Sequence, residues 1–485
     1  MALENKILTL TEATIVLDEI SILDRESGTD NQKIKDVQVK PSEFIGYVFP
    51  YIIINTYEFT IDEIFSFEMN CYDFLPICRI KVFDKTTQFT GKYFPKDGDV
   101  VSVFLKSPNK ELYKDVRIDF DFISIDPITN KNELTSYVII GQMKVPGLYG
   151  EYCKSYVKKT SFDTLMDVSQ ELKLGYASNI EDTADKMTWI NPFDTTYKFI
   201  EDTIKKSYLN EDTFFTSYID FYYNLTFIDL NRIFADGDVE ETEIFLKNLP
   251  TLSLTEEETA GKMDGYQIFS NLKQLQGTSK YVTKFRPVNN TGQIFLRNGY
   301  KRYAQFFDVG ESDEKNGKFI SEYVDPFTTE GTDSLVHLKG RYVGDIDNRK
   351  HEGLTDSYLK YKYLGKQNTG SNGNVHDNYL FSHVLNYQNN EEFYKMGMIM
   401  DLEVMDLTLY KYQKIFLAVY DYGQKEKEMY NASDPENEED INNRPRLNKM
   451  LSGAYIINGI EYMYSYPGPI KQRIRLIRRE YNPNP

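Results

Sequence analysis

The chain has 485 residues, of which 41% are hydrophobic, and carries a formal net charge of −18. That apolar fraction supports packed cores rather than global disorder, and at about 150 residues per domain the length corresponds to roughly three domains. The acidic balance argues against a large nucleic-acid-binding face, which needs clustered Lys and Arg.

No run of about 18 consecutive apolar residues occurs, which argues against a membrane-spanning helix. Met1 to Leu10 carries Glu4 and Lys6 and lacks the apolar stretch of a secretory leader. The three cysteines, Cys71, Cys78 and Cys153, have no CxxC spacing, and synthesis in a reducing cytoplasm fits them. The aromatics comprise 38 Tyr and 31 Phe but a single Trp, Trp189, and this leans the composition towards half-buried pleated surfaces.

Residues 1–40 read as a polar arm or edge strand, with weak apolar alternation from Ile7 to Leu17. Strands follow from Gly46 to Val145, and residues 41–150 are expected to form a first small β-barrel. Val116 to Phe122 alternates as a strand with one buried face does. The phase then flips, putting Ile123 and Ile125 on the apolar side, and such a flip predicts a bulge or strong bend. Asp97-Gly98-Asp99 is a turn into the apolar run Val100 to Leu105.

The pattern changes at Pro146-Gly147, and residues 151–245 read as a middle module. Thr160-Ser161-Phe162-Asp163 resembles a capping box with Asp in place of Glu. Phe162, Leu165, Met166, Ser169 and Leu172 then keep helical spacing, with Gly175 where a C-terminal cap is expected. A second helix is expected from about Asp194, with Tyr197, Ile200, Ile204 and Tyr208 as its stripe. Asp185 to Asn191 reads as a linker, and Phe214–Phe221 with Asn224–Leu230 as a hairpin.

Residues 246–395 read as an insert plus part of a second barrel, with strands around Asn289 to Gly292, a Gly/Asn/Ser-rich loop over 366–377 and a helix from Tyr379 to Lys395. Residues 396–485 read as the closing strands of that barrel, interrupted by a solvated acidic excursion over 424–449. Ser452 to Tyr464 and Ile470 to Arg479 form the expected last hairpin across Tyr466 to Pro469.

No constellation for chemistry stands out, so no catalytic, cofactor-binding or metal-binding residue is assigned and the chain reads as a non-enzyme. His337, His351, His376 and His383 lack zinc-ligand spacing. Gly310 to Lys318 has six residues between its glycines and Phe319 where a phosphate loop needs Ser or Thr. Residues 434–440 lack the ligand order of an EF-hand. Asp119 and Asp121 share a strand face, as carboxylate pairs do in glycosidases, but 74 acidic residues make such pairs common. Lys471, Arg473, Arg475, Arg478 and Arg479 form the one basic cluster, which reads as a solvated sheet edge or a docking face for an acidic neighbour.

The middle module resembles the central region of baseplate hub proteins of T-even-like phages and of the late control D family of tail proteins. The residues that carry the resemblance are Asp185, Met187 and Trp189 between the helices, then Asp220 and Asn224-Leu225-Thr226-Phe227-Ile228. Ser452 to Ile457 followed by Gln472 to Leu476 resembles the family's closing barrel strands. The resemblance implies a mostly β, α+β fold in which two small antiparallel β-barrels flank a helix–helix–hairpin module carrying inserts. It implies a structural hub subunit in the virion tail baseplate, made in the host cytoplasm. Three copies would form a ring that adapts the six-fold tail tube above to a separate three-fold spike below, beside baseplate wedge or other tail proteins. A channel for DNA would remain, without sequence-specific nucleic-acid binding or membrane contact. The alternatives are another virion structural protein, such as a minor tail or adaptor protein, and, behind it, a peptidoglycan-degrading tail enzyme or a secretion-system spike protein.

Overall fold

The computed structural model describes residues 49–54, 57–105, 116–129, 135–210, 213–235, 265–269, 282–289, 302–308, 318–324, 360–364, 396–402, 405–407, 409–421, 446–447, 451 and 453–478. The expected N-terminal arm, all four histidines, the 366–377 loop, the 379–395 helix and the 434–440 acidic run lie outside the described residues.

The fold is mostly β. The first segment supplies β1 (Tyr51–Ile54), β2 (Tyr57–Glu58), β3 (Ile64–Cys71), β4 (Ile77–Phe83), β5 (Val100–Leu105), β6 (Val116–Thr129) and β7 (Thr135–Met143). The module follows with β8 (Glu151–Lys159), α1 (Ser161–Glu171), β9 (Gly175–Ser178), β10 (Met187–Thr195), α2 (Thr196–Lys206), β11 (Phe215–Thr216), β12 (Asn224–Asp229) and α3 (Leu230–Ala235). The remainder supplies β13 (Gly265–Phe269), β14 (Val282–Asn289), β15 (Arg302–Asp308), β16 (Lys318–Val324), β17 (Lys360–Leu364), β18 (Met396–Leu402), β19 (Lys414–Asp421), β20 (Arg446–Leu447), β21 (Gly453–Ser465) and β22 (Lys471–Arg478).

The two β segments are halves of one sheet. Its strands run β14-β18-β22-β21-β3-β4-β7-β6-β5-β1-β2, with β19 branching from β21 to hold β13 and β20. Among the described residues no pairing closes either half on itself, so the barrels expected from the sequence are curled half-barrels joined where β3 meets β21. β15, β16 and β17 form a separate three-stranded sheet within the expected insert. One hydrophobic core runs from Ile52 through Phe162 and Phe227 to Leu476, so both halves and the module share it.

The phase flip in β6 is a bulge: Phe122 pairs with Gly141 and Ser124 with Ile140, leaving Ile123 as the extra residue. Ile123 is 58% exposed rather than on the apolar side, because an unpaired bulge residue is turned out of the pleat. The preceding alternation does not leave a polar face in water. Arg117 and Asp119 are buried as an ion pair at 3.0 Å, with Ser102 Oγ donating to Asp119 at 2.6 Å. Asp121 instead faces solvent, 3.3 Å from Lys144, so the two carboxylates make no catalytic pair.

In the module, Thr160 caps α1 by accepting the Asp163 N–H, and Thr195 caps α2 by accepting that of Lys198. Gly175 is not the C-cap. Lys173 takes the left-handed conformation (φ 57°), and Gly175 begins β9, where a Cβ would meet Asn224 Oδ1 at 2.0 Å. The stretch read as a linker is largely β10, which pairs antiparallel with β8 as a two-stranded ribbon. The expected hairpin exists as β11 and β12, and β12 also pairs in parallel with β9.

Candidate functional site

Three distant parts of the chain meet at one join: the end of β3, the module hairpin, and residues 405–407 and 409–413 with β21. The join begins at the seam, where β3 and β21 pair from Cys71↔Ile460 to Ser66↔Ser465. Tyr72 closes its end. The Tyr72 hydroxyl donates to Glu461 at 2.7 Å and the Arg475 guanidinium lies 3.8 Å from its ring centroid. Gly459 lets the ring in, since a Cβ there would lie 1.9 Å from it. Burial and the Glu461 carboxylate raise the Tyr72 pKa, so the phenol stays a donor.

Glu461 is the middle of a charged row across neighbouring strands. Arg473 holds Asp401 through two nitrogens, at 2.7 and 3.2 Å, and places Nη1 3.8 Å from Glu461. Such a fork onto one carboxylate is the strong form of this contact. The basic cluster is therefore not a sheet edge: β22 is paired on both sides, and Arg478, like Arg475, lies over a tyrosine ring, that of Tyr455 at 4.8 Å. Arg479 lies outside the described residues. Glu68, beside Glu461 on the seam, has its pKa raised by burial and by Glu461, with Arg79 and Arg473 opposing.

The module enters this join through its hairpin. The Asp220 carboxylate accepts from the backbone N–H groups of Tyr222 and Asn224 and from Asn224 Nδ2, at 2.8–3.0 Å. That fixes the tight turn in which Tyr223 has φ 64°. Three tyrosines then reach out of the turn. Tyr218 donates to the Lys411 carbonyl at 2.8 Å, Tyr222 to the Leu407 carbonyl at 3.0 Å, and the Tyr223 oxygen accepts the Asp119 N–H at 2.9 Å. Ile219 N–H donates to the Phe74 carbonyl at 2.8 Å. Lys411 completes the knot: its ammonium donates to the Tyr72 and Asp73 carbonyls and lies over the rings of Tyr218 and Tyr412, 5.4 and 5.1 Å from their centroids. A small crevice lined by Cys71, Asp73, Asp220 and Lys411 lies among these groups.

Asp185 and Trp189 hold the helices of the module in place. Asp185 is fully buried and accepts from Ser161 N, Thr183 Oγ1 and Tyr208 N, each at 2.8 Å. Burial raises its pKa while these donors pull it back. Trp189 is buried and donates from Nε1 to the Lys159 carbonyl at 3.0 Å. Cys78 is buried and Cys71 half-buried, and burial pushes the Cys71 thiol up to about 12, so neither is a ready nucleophile. Cys153 is exposed on β8. Among the described residues no three His, Cys, Asp or Glu side chains converge as a metal site would require, and no helix is long and apolar enough to cross a membrane.

The arrangement thus fixes the relative positions of the three parts. Sequence reasoning found Asp185, Trp189, Asp220 and Asn224. It missed Tyr72, Lys411 and the three hairpin tyrosines, whose partners lie 104 to 389 residues away. The only local signal for them was the clustering of Tyr218, Tyr222 and Tyr223.

No family model and no curated protein matches the chain. Among solved structures it is similar to the tail protein from Neisseria meningitidis MC58, at a TM-score of 0.46 and 8% identity over 89% of this chain and 97% of that one. The 43 kDa tail protein of prophage MuSo2 from Shewanella oneidensis gives 0.46 and 11%, over 89% and 98%. The E. coli c3393 protein, described as a type VI secretion system component, gives 0.38 and 8%, over 89% and 78%. At these identities and TM-scores they are likenesses and assign no activity.

Proposed function

We propose that the chain is a structural hub subunit of a phage tail baseplate, a homotrimer whose ring adapts a six-fold tube to a three-fold spike around a DNA channel. The observation that carries this reading is the strand order about the seam. Outward on one side run β3, β4, β7 and β6, and on the other β21, β22, β18 and β14, all antiparallel to their neighbours. On each side a seam strand is followed in sequence by its neighbour, then by two strands from elsewhere in the chain. One chain so built offers two related half-barrels side by side. Three copies around a closed axis would then offer six positions, which is what an adaptor between six-fold and three-fold partners needs.

In this reading residues 41–150 and 396–485 face the tube, while 151–245 acts as the wedge that holds their angle. The knot at Tyr72, Tyr218 and Lys411 serves that role because a ring built from two half-barrels per copy fails if they hinge. The acidic balance suits a wall along which DNA slides without being gripped. Light scattering on the purified chain tests the reading. A particle of about three times the 56.7 kDa of one chain is expected, and a hexamer or dodecamer would point to a tube or connector protein instead.

A further inference from the structure

The basic cluster on β22 belongs to a larger face. Residues opposite one another in an antiparallel ladder point to the same side of the sheet, so the register shows what shares the side turned away from the core. From β14 to β4, across the seam, that side carries three rows. Arg286, Ile399 and Arg475 make the first. Lys284, Asp401, Arg473, Glu461, Asn70 and Ile77 make the second. Lys471, Met463, Glu68 and Arg79 make the third, and Lys81 lies beyond it, opposite Ser66. Met400, Ile474, Tyr462 and Met69, on the other side of the same strands, lie in the core. Seven cations and three carboxylates therefore share the outer side of six strands, on a chain whose net charge is −18. The carboxylates are engaged locally: Asp401 by Arg473, Glu461 by the Tyr72 hydroxyl and Arg473, while Glu68 lies opposite Arg79. Among the described residues no carboxylate makes an ion pair with Lys284, Arg286, Lys471, Arg475 or Lys81. The first four of these are exposed, and Lys81 lies over the Phe65 ring. Past β7 the same side changes sign, with exposed Asp121 and Asp126 of β6 opposite Gln142 and Val138.

Extent and composition name the occupant. Neighbouring strands lie about 4.8 Å apart, so Lys284 on β14 and Arg79 on β4 are about 24 Å apart, too far for one small anion to reach both. Duplex DNA fits poorly. Asp401, Glu461 and Glu68 stand in the middle of the face, where a phosphate backbone crossing it meets them, and half-buried Ile77, Ile399 and Met463 lie in the same rows. Nucleic-acid interfaces are dominated by positive charge, whereas protein interfaces mix apolar and charged groups. Unpaired cations around such a mixture are complementary to a protein surface that presents carboxylates.

We infer that the outer face from β14 to β4 docks an acidic surface of a neighbouring protein, with Lys81, Lys284, Arg286 and Lys471 meeting its carboxylates. The inference does not depend on the trimeric reading above. Fluorescence anisotropy on the full chain tests it, with poly-L-glutamate as the acidic probe and duplex DNA of equal charge beside it. The wild-type chain is expected to bind polyglutamate more tightly than DNA at low salt, and to release it as salt rises, since exposed charges are screened. Lys81→Glu with Lys284→Glu and Lys471→Glu is expected to weaken that binding about ten-fold or more, with an unchanged circular dichroism spectrum. Lys158→Glu with Lys173→Glu and Lys186→Glu makes the same change of net charge away from the face and is expected to stay within about two-fold of wild type. A wild-type chain that does not bind polyglutamate overturns the inference, as do equal losses in the two triple variants. Tighter binding of DNA, lost in the first triple variant, makes the face a nucleic-acid surface and overturns it too.

Discussion

The seam between β3 and β21 and the ribbon of β8 and β10 are both antiparallel strand pairs, yet they differ in everything around the ladder. At the seam Tyr72 is held by Glu461 and Arg475, and the core closes the inner face with Met69, Tyr462 and Tyr464. On the ribbon one face is packed and the other offers Val157 and Ile190 to solvent. The seam therefore has the character of an interior joint, finished within one chain, and the ribbon that of an unfinished surface. Energy at the knot resides in hydrogen-bonded buried polar groups, whose loss is costly. On the ribbon little monomer stability is at stake, because exposed residues contribute little to folding.

That contrast can be broken by substitution, in order of expected effect. Asp220→Ala leaves three buried N–H donors without their acceptor and is expected to cost about 3 kcal/mol or more in urea unfolding, since each such donor costs roughly 1–3 kcal/mol. A cost below about 1 kcal/mol would mean that the turn is not what holds the knot. Gly459→Ala pushes a methyl into the pinned Tyr72 ring and is expected to cost about 2 kcal/mol by overpacking. The double variant with Tyr72→Ala should recover part of that cost, and simple additivity would contradict the contact. Tyr218→Phe leaves the Lys411 carbonyl without its donor and is expected to cost about 1 kcal/mol.

The smallest effect depends on pH. Glu68 has its pKa raised above the usual 4.5 in the folded chain, so the folded state holds its proton more tightly than the unfolded state does. Its contribution is fully present below that unfolded value and is lost as pH rises through the folded one. Glu68→Gln removes this loss, so thermal midpoints of variant and wild type should diverge in the variant's favour as pH rises above 4.5. A gap that is constant across that range would show that Glu68 does not titrate against Glu461.

Local features of the fold were legible in the sequence. The cap at Thr160, the bulge in β6 and the final hairpin each depend on residues within a few positions of one another. β10 was hidden because Asp185 to Asn191 is a short stretch between two helical patterns and reads as a linker until β8 is placed beside it. The fusion of the two half-barrels was hidden because the partners in β3 and β21 lie nearly 400 residues apart and neither strand carries a mark of the other. Arg473 and Arg475 looked like edge cations for the same reason: Asp401 and Tyr72, which engage them, are distant in sequence and come beside them only after the ladder forms.

The most direct measurement of the central claim is an electron-microscopy reconstruction of the purified particle without imposed symmetry. The account predicts three copies about one axis, with the strands on either side of each β3–β21 seam occupying six comparable positions around the central opening. A ring of six or twelve copies, each giving one position, or a chain whose two half-barrels lie on different sides of the particle, would contradict it.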